Sequence, residues 1–311
     1  MNRAALALVL LAMGVTTAIA QDDWISPAGR DHPLAGKIWD VAQGAFVTEA
    51  ELLGQLAAST FVLLGETHTN KDHHRLQARI VERLGAIGGF DAVAFEMLNQ
   101  SQAPALARHL DQSETPEVLA EGLGRAVNWQ RWPSWRGNYR QIAEAALTSA
   151  MTIVAGNAEN AILRQAVSLG PGALEEAFVA RTKFEVPLAP TALEALNAEL
   201  TESHCGMGPT TIAGLVNAQR VWDSSVADAL IQAGRSILIA GSGHTRTDRA
   251  VPWVLGHMQP DAQVAALAFV EVAADFDTPG NYAVFFRTPT LPYNFIWFTP
   301  GATLSGEVEP Y

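Results

Sequence analysis

Five short apolar runs, set between longer amphipathic stretches, constrain this chain more than any other feature; they lie at residues 61–64, 92–95, 152–155, 236–240 and 264–270. None alternates apolar with polar residues. Each is therefore suited to a strand covered on both faces, which is the situation of a parallel sheet between layers of helices. The intervening segments have helical periodicity. Residues 72–84 put Leu76, Ile80 and Leu84 on one stripe, and residues 158–169 do the same with Ile162, Leu163, Ala166 and Val167, with Asn157 as a helix N-cap. The longest pattern, over residues 210–233, has Ile212, Leu215, Val216, Trp222, Val226 and Leu230 as its apolar stripe. Gln219 and Asp223 flank that stripe, either as a solvated margin or as polar contacts to a site. Strands alternating with helices predict an α/β fold with a mostly parallel central sheet flanked by helices. A Trp-rich segment (Trp129, Trp132 and Trp135, with Tyr139 behind) and the helices of residues 170–208 are expected to form a cap-like insertion over the sheet edge.

In an open parallel sheet, ligands bind beyond the carboxyl ends of the strands, so the residues just after each apolar run carry the most information. The first run is followed by Gly65-Glu66-Thr67-His68 and then His73-His74; the second ends in Glu96; the third gives Gly156-Asn157; the fourth gives Gly241-Ser242-Gly243-His244, with Arg246 and Arg249 beyond. Glu66, His68, Glu96 and His244 are thus expected to converge on one edge. Imidazoles and carboxylates form a nitrogen–oxygen ligand set for a divalent metal, and the same four groups could be the catalytic residues of a metal-dependent hydrolase cleaving a peptide or ester bond. The bland alternative makes each a cap or a hydrogen-bonded turn residue. His73 falls on the helix face of Gln77, Ile80 and Leu84 and is expected to look back towards the strand ends. His74, turned about 100° away, is expected to be exposed or in a side contact. His73, His74, Asn157, Gln219, Arg246 and Arg249 are candidate ligand-binding residues; the two arginines offer forked donors to a carboxylate, or else belong to a solvated loop with Asp248 between them.

Composition excludes some classes. Of 311 residues, 49% are hydrophobic, enough for a large core, and 32 Asp+Glu against 20 Lys+Arg leave a net charge of −12. An acidic chain without a basic patch is not built to bind nucleic acid, and it has no polybasic stretch for an anionic membrane. Residues 1–20 read as a secretory signal: Arg3, an apolar stretch over residues 4–15, and Ala18-Ile19-Ala20 before a cleavage point at Gln21. No cysteine follows that point, and no later stretch is long and apolar enough to span a membrane. The expectation is one domain over residues 21–311, exported to the periplasm and not inserted in a membrane. The single cysteine, Cys205, excludes an internal disulfide and a multi-cysteine zinc site.

Leu63-Leu64-Gly65-Glu66-Thr67-His68 followed by His73-His74-Arg75-Leu76-Gln77 resembles the opening motif of the ChaN-type haem-binding uptake proteins. The same pattern is echoed by Phe95-Glu96-Met97-Leu98, by residues 132–139, by Gly156-Asn157, by residues 218–223 (Ala-Gln-Arg-Val-Trp-Asp), and by Gly241 to Arg246 with Asp248 to Pro252. The resemblance runs in order through nearly all of the chain after the leader. That family belongs to a superfamily with the Tiki metalloproteases, TraB-like proteins and erythromycin-esterase-like hydrolases, which are similar to this chain chiefly in the two Gly-x-x-His turns and the glutamate. The resemblance implies an α/β domain that binds haem, as a homodimer, in iron uptake. It also implies haem iron held by a tyrosine, for which Tyr139, Tyr282, Tyr293 and Tyr311 are the candidates, none assigned by a motif. Two departures stand out: the lipoprotein cysteine of many members is missing, and Ala250 stands where the last motif usually has glycine.

Overall fold

A computed structural model of the chain describes residues 24–129 and 134–302. The expected signal and its cleavage point, Trp132 and Tyr311 lie outside the described residues. Eight strands form one sheet in the order β2-β1-β8-β7-β3-β6-β4-β5. The five apolar runs become β3 (Phe61–Glu66), β4 (Ala92–Asn99), β5 (Thr152–Asn157), β6 (Ser236–Gly241) and β7 (Val264–Glu271). They are parallel to one another, and β8 (Phe295–Thr299) adds a further parallel strand beside β7. Two short strands, β1 (Ile38–Asp40) and β2 (Ala45–Val47), close the β8 edge antiparallel.

The two faces are covered as a doubly buried sheet requires. On one, Val62, Leu64, Phe95, Ile237, Ile239 and Leu267 pack beneath α1 (Glu49–Ala58), α2 (Lys71–Ile87), α3 (Ala103–Leu110), α4 (Pro116–Ala126) and α5 (Arg140–Thr148). On the other, Leu63, Ala94, Leu238 and Ala240 pack against α9 (Pro209–Ala233) and α10 (Val251–Met258). Of three further helices, α6 (Asn160–Leu169) follows β5, and α7 (Glu176–Thr182) and α8 (Pro190–Ser203) are the helices of the insertion expected over residues 170–208. They add satellite clusters to the outside of α9: Ala166 and Phe184 with Val221, and Leu196 with Val216.

Three local expectations change. The Trp-rich segment does not join the insertion: Trp129, Trp135 and Tyr139 belong to the α2–α5 face, because their rings pack edge-on or tilted against one another and against Phe95. Asn157 caps no helix: it stays in the β5 ladder opposite Asn99, and α6 starts three residues later with Glu159 at its N-cap. His74 is not exposed: α2 is buried over an arc wide enough to take in His73, His74, Leu76, Gln77, Ile80 and Leu84 together.

Candidate functional site

Parallel register sets the site. Glu66 ends β3 directly opposite Gly241 at the end of β6, and on the far side of β6 the pairing of Phe95 with Ile239 brings Glu96 of β4 to the same level. Three adjacent strands therefore present two carboxylates at one level, Glu66 at the end of β3 and Glu96 three residues before β4 ends at an irregular stretch, and the turns after β3 and β6 add His68 and His244. Close approach favours glycine at Gly65 of β3 and leaves little space at Gly241 of β6. A Cβ on Gly65 would lie 2.2 Å from Thr245 Oγ1, and one on Gly241 would lie 3.2 Å from His68 Nε2.

Glu66 is the hub. Its Oε1 accepts hydrogen bonds from the Tyr139 hydroxyl at 2.6 Å and from His68 Nδ1 at 2.9 Å, and His74 Nε2 lies 2.9 Å from its other oxygen. Burial alone would raise the Glu66 carboxyl, but His74 and His68 hold it well below the usual carboxylate range. Burial pushes the Tyr139 hydroxyl far up, and the neighbouring Glu66 charge adds to it, so this phenol keeps its proton. Tyr139 arrives from a single π-helical turn, Trp135–Tyr139, which precedes α5 and is anchored by Trp135 Nε1 donating to Ala120 O at 2.8 Å.

Glu96 bridges to a second imidazole. Its Oε2 accepts the Gly241 amide at 3.0 Å, while His68 Nε2 and His244 Nε2 stand 3.6 and 3.7 Å from its two oxygens, contacts of charge rather than hydrogen bonds. His244 Nδ1 donates to Asp223 Oδ1 at 2.6 Å, Gln219 Nε2 lies 3.0 Å from the same nitrogen, and the Trp222 ring lies against the imidazole. Burial works against protonation of His244, yet Glu96 and Asp223 overcome it and hold the imidazole up to about 9. The result is a chain, Asp223–His244–Glu96–His68–Glu66–Tyr139, in which acid and imidazole alternate as far as Glu66; its carboxylates and Tyr139 are buried, and its two imidazoles are partly exposed. The hydrogen bonds orient His244 on Asp223 and His68 on Glu66, and Glu96 lies between the two rings as a charge.

Of the candidate residues, Glu66, His68, Glu96 and His244 come together, with His74 beside Glu66 and Gln219 beside His244. His73 does not face them: its Nδ1 accepts the Thr67 amide at 2.9 Å and its Nε2 donates to Thr299 Oγ1 at 2.8 Å, so it pins the β3–α2 turn to β8. Burial, then the neighbouring His74, push His73 down to about 3. Asn157 is buried at the β5 end with its Oδ1 lacking a hydrogen-bond partner. Arg246 and Arg249 are sealed rather than solvated, 2% and 4% exposed, and pair with Asp248 and with Glu199 of α8. The expected metal ligands pair with one another instead: among the described residues no group of three or more His, Cys, Asp and Glu side chains is arranged to hold a metal ion. Sequence reasoning passed over Glu199 and gave Tyr139 no place among the strand-end groups; both come from helices whose rotation no local pattern fixes. Cys205 is exposed and distant in role.

The other described tyrosines are also committed. Tyr293 donates to Ser242 O at 3.1 Å, and Tyr282 accepts the Ala273 amide at 2.9 Å. Burial raises both hydroxyls.

Comparison with known proteins gives one family. A family model described as haem-binding uptake, Tiki superfamily, ChaN matches residues 52–255. Among solved structures, ChaN of Campylobacter jejuni, studied for cofacial haem binding, superposes with a TM-score of 0.64 at 17% identity, over 84% of this chain and 95% of that one. The type III effector HopBA1 gives a TM-score of 0.42 at 13% identity, over 80% of this chain and 91% of its own. A mutant of the erythromycin esterase EreC in its open conformation gives 0.39 at 14% identity, over 79% of this chain and 77% of its own. No curated protein matches.

Proposed function

The chain belongs to the ChaN family of haem-binding uptake proteins in the Tiki superfamily, and from that premise we propose that it binds haem. One observation carries the reading: the family match extends from α1 to α10 and so takes in β3, β4, β5 and β6, with the whole Glu66–His244 cluster at their ends. The shared fold with Campylobacter jejuni ChaN is consistent with it. We further propose export after cleavage before Gln21, a single domain over residues 21–311, assembly as a homodimer, and a role in iron uptake. Among the described residues no helix is long and apolar enough to cross a membrane, as an exported protein outside the bilayer needs. The metal-dependent hydrolase has no comparable support.

Ligation of haem iron by a described tyrosine does not fit. A ferric ligand has to be a phenolate. Tyr139, Tyr282 and Tyr293 are all buried, their hydroxyls are hydrogen-bonded inside the protein, and burial raises each of them. Haem binding is therefore proposed without an iron bond from these three.

The test is a titration of ferric haem into the full chain, followed by Soret absorbance. A saturable Soret shift at low-micromolar concentration is expected. A spectrum that stays that of free haem at saturating concentration would overturn the proposal. N-terminal sequencing of the exported protein checks the cleavage; a start far from Gln21 would refute it.

A further inference from the structure

We propose that Arg246 and Arg249 form a receptor for a ligand carboxylate beside the central cluster, and that Glu199 of α8 occupies it as an internal carboxylate until a ligand displaces it. The inference does not depend on the haem reading.

The arginine pair is incompletely satisfied. Arg246 spends Nε and Nη2 on Asp248, at 3.0 and 2.8 Å, in the forked geometry that guanidinium and carboxylate favour. Its remaining nitrogen, Nη1, stands 3.9 Å from Glu199 Oε2, beyond hydrogen-bonding distance. Arg249 Nη2 donates to that same Glu199 oxygen, and Arg249 Nη1 is buried with no hydrogen-bond partner. Ser242, in the turn just before, has a buried hydroxyl that also lacks a partner. Buried donors are nearly always satisfied, and one left open is destabilising. One carboxylate oxygen shared by two arginines is a poor use of a pair able to grip a whole carboxylate.

The approach to the pair is marked as well. The arginine side chains are 2% and 3% exposed, whereas that of Glu199 is 24% exposed, so solvent reaches the carboxylate and not the guanidinium groups behind it. Glu199 is presented by the insertion, whereas the arginines stand in the connection between β6 and α10. The Glu199 carboxylate lies against the turn that carries His244: a Cβ on Gly243 would be in ordinary contact with Glu199 Oε1, at 3.9 Å. Exchange of Glu199 for an incoming carboxylate keeps the pair neutral, because Asp248 balances Arg246 and the exchanged group balances Arg249. The acceptor position is also within the field of His244, on whose charge Glu199 already acts, so a ligand anchored there lies next to the strand-end chain.

Succinate is the probe, titrated calorimetrically into the full chain against chloride at equal ionic strength. Wild type is expected to bind weakly, because Glu199 competes. Glu199→Gln is expected to bind at least about tenfold more tightly, a factor worth about 1.4 kcal/mol. Adding Arg249→Gln to that variant is expected to remove the binding. A folded Glu199→Gln protein that gives no more heat with succinate than with chloride would overturn the proposal. Should that variant fail to fold, Glu199→Asp, which keeps the charge and shortens its reach, carries the same two outcomes. Haem brings carboxylates of its own. Weaker Soret titration by haem dimethyl ester than by haem, with the difference lost in Arg249→Gln, assigns the site to a propionate. Equal titration by both, alongside succinate binding, assigns it to a free acid. Failure of haem to bind at all leaves the succinate result standing.

Discussion

Lowering the pH from 7 to 5 should cost this protein stability through His73, and the amount follows from its surroundings. The side chain is fully buried, and its Nδ1 accepts a backbone amide, so a proton there would break the bond to Thr67. Folded, the imidazole is pushed down to about 3 from an ordinary value of 6.5. Unfolded, it takes up a proton as the pH falls through 6.5, which the folded state refuses. The unfolded state then binds more protons, and stability falls with falling pH over the window from about 6.5 to about 3. Linkage over that window gives a loss of about 2 kcal/mol at pH 5 and about 3 kcal/mol at pH 4, relative to pH 7. Other groups titrate in the same range, so the measurement is a comparison. Urea unfolding of wild type and of His73→Asn at pH 7 and pH 5 isolates the residue, because asparagine keeps an acceptor near the Thr67 amide and does not titrate. The variant should be weaker at pH 7, yet lose about 2 kcal/mol less than wild type on going to pH 5. An equal loss in both proteins would refute the assignment of His73 as a neutral, buried pin.

His244 should behave oppositely: held up to about 9, it stabilises fully below its ordinary 6.5, and that contribution is lost as pH rises through about 9. Imidazole NMR should place its midpoint near that value, and Asp223→Asn should lower it by about a unit or more, since a nearby opposite charge is worth that much; an ordinary midpoint in wild type would count against the Asp223–His244–Glu96 pairing. Tyr139→Phe, Tyr282→Phe and Tyr293→Phe should each leave the haem Soret titration intact, and its loss in any one would return that tyrosine to the iron. Gly65→Ala should destabilise by about 1–3 kcal/mol in chemical denaturation, as overpacking does, because its Cβ would meet Thr245 Oγ1 at 2.2 Å and the Ser242 backbone at 3.0 Å; an unchanged midpoint would show that the turn yields.

The parallel centre of the sheet was legible because a strand buried on both faces has no polar alternation to disguise it, and β3 to β7 all carry that mark. β8 is just as apolar, but it follows a 3-10 segment (Pro279–Phe286) and Pro292, not an amphipathic helix, so the strand–helix rhythm that exposed the others breaks before it. β1 and β2 have three residues each, one of them with no buried position, and such edge strands owe their conformation to a partner rather than to local sequence. The same distinction runs through the site. Glu66, Glu96, His68 and His244 could be placed because strand ends in a parallel sheet share one edge whatever the side chains do. Helical residues could not, since a rotation of about 100° per residue decides what they face. That is why His74, and not His73, meets Glu66, why Gln219 and Asp223 stayed open between a solvated margin and a site contact, and why Tyr139 shows its connection to the strand ends only in three dimensions.

Two charged groups share this edge, and they differ in how they are satisfied. In the central chain each carboxylate has a short partner: Glu66 takes two donors on one oxygen at 2.6 and 2.9 Å, Asp223 takes His244 at 2.6 Å, and Glu96 takes the Gly241 amide at 3.0 Å. Separating any of these to admit a ligand would strand a buried charge, which costs about 3–5 kcal/mol. At the arginine pair the internal partner is shared, partly wet and carried on the insertion, and one guanidinium nitrogen is already without a bond. Replacing one carboxylate by another there strands nothing. The cheaper rearrangement therefore lies at Glu199 and not at Glu66.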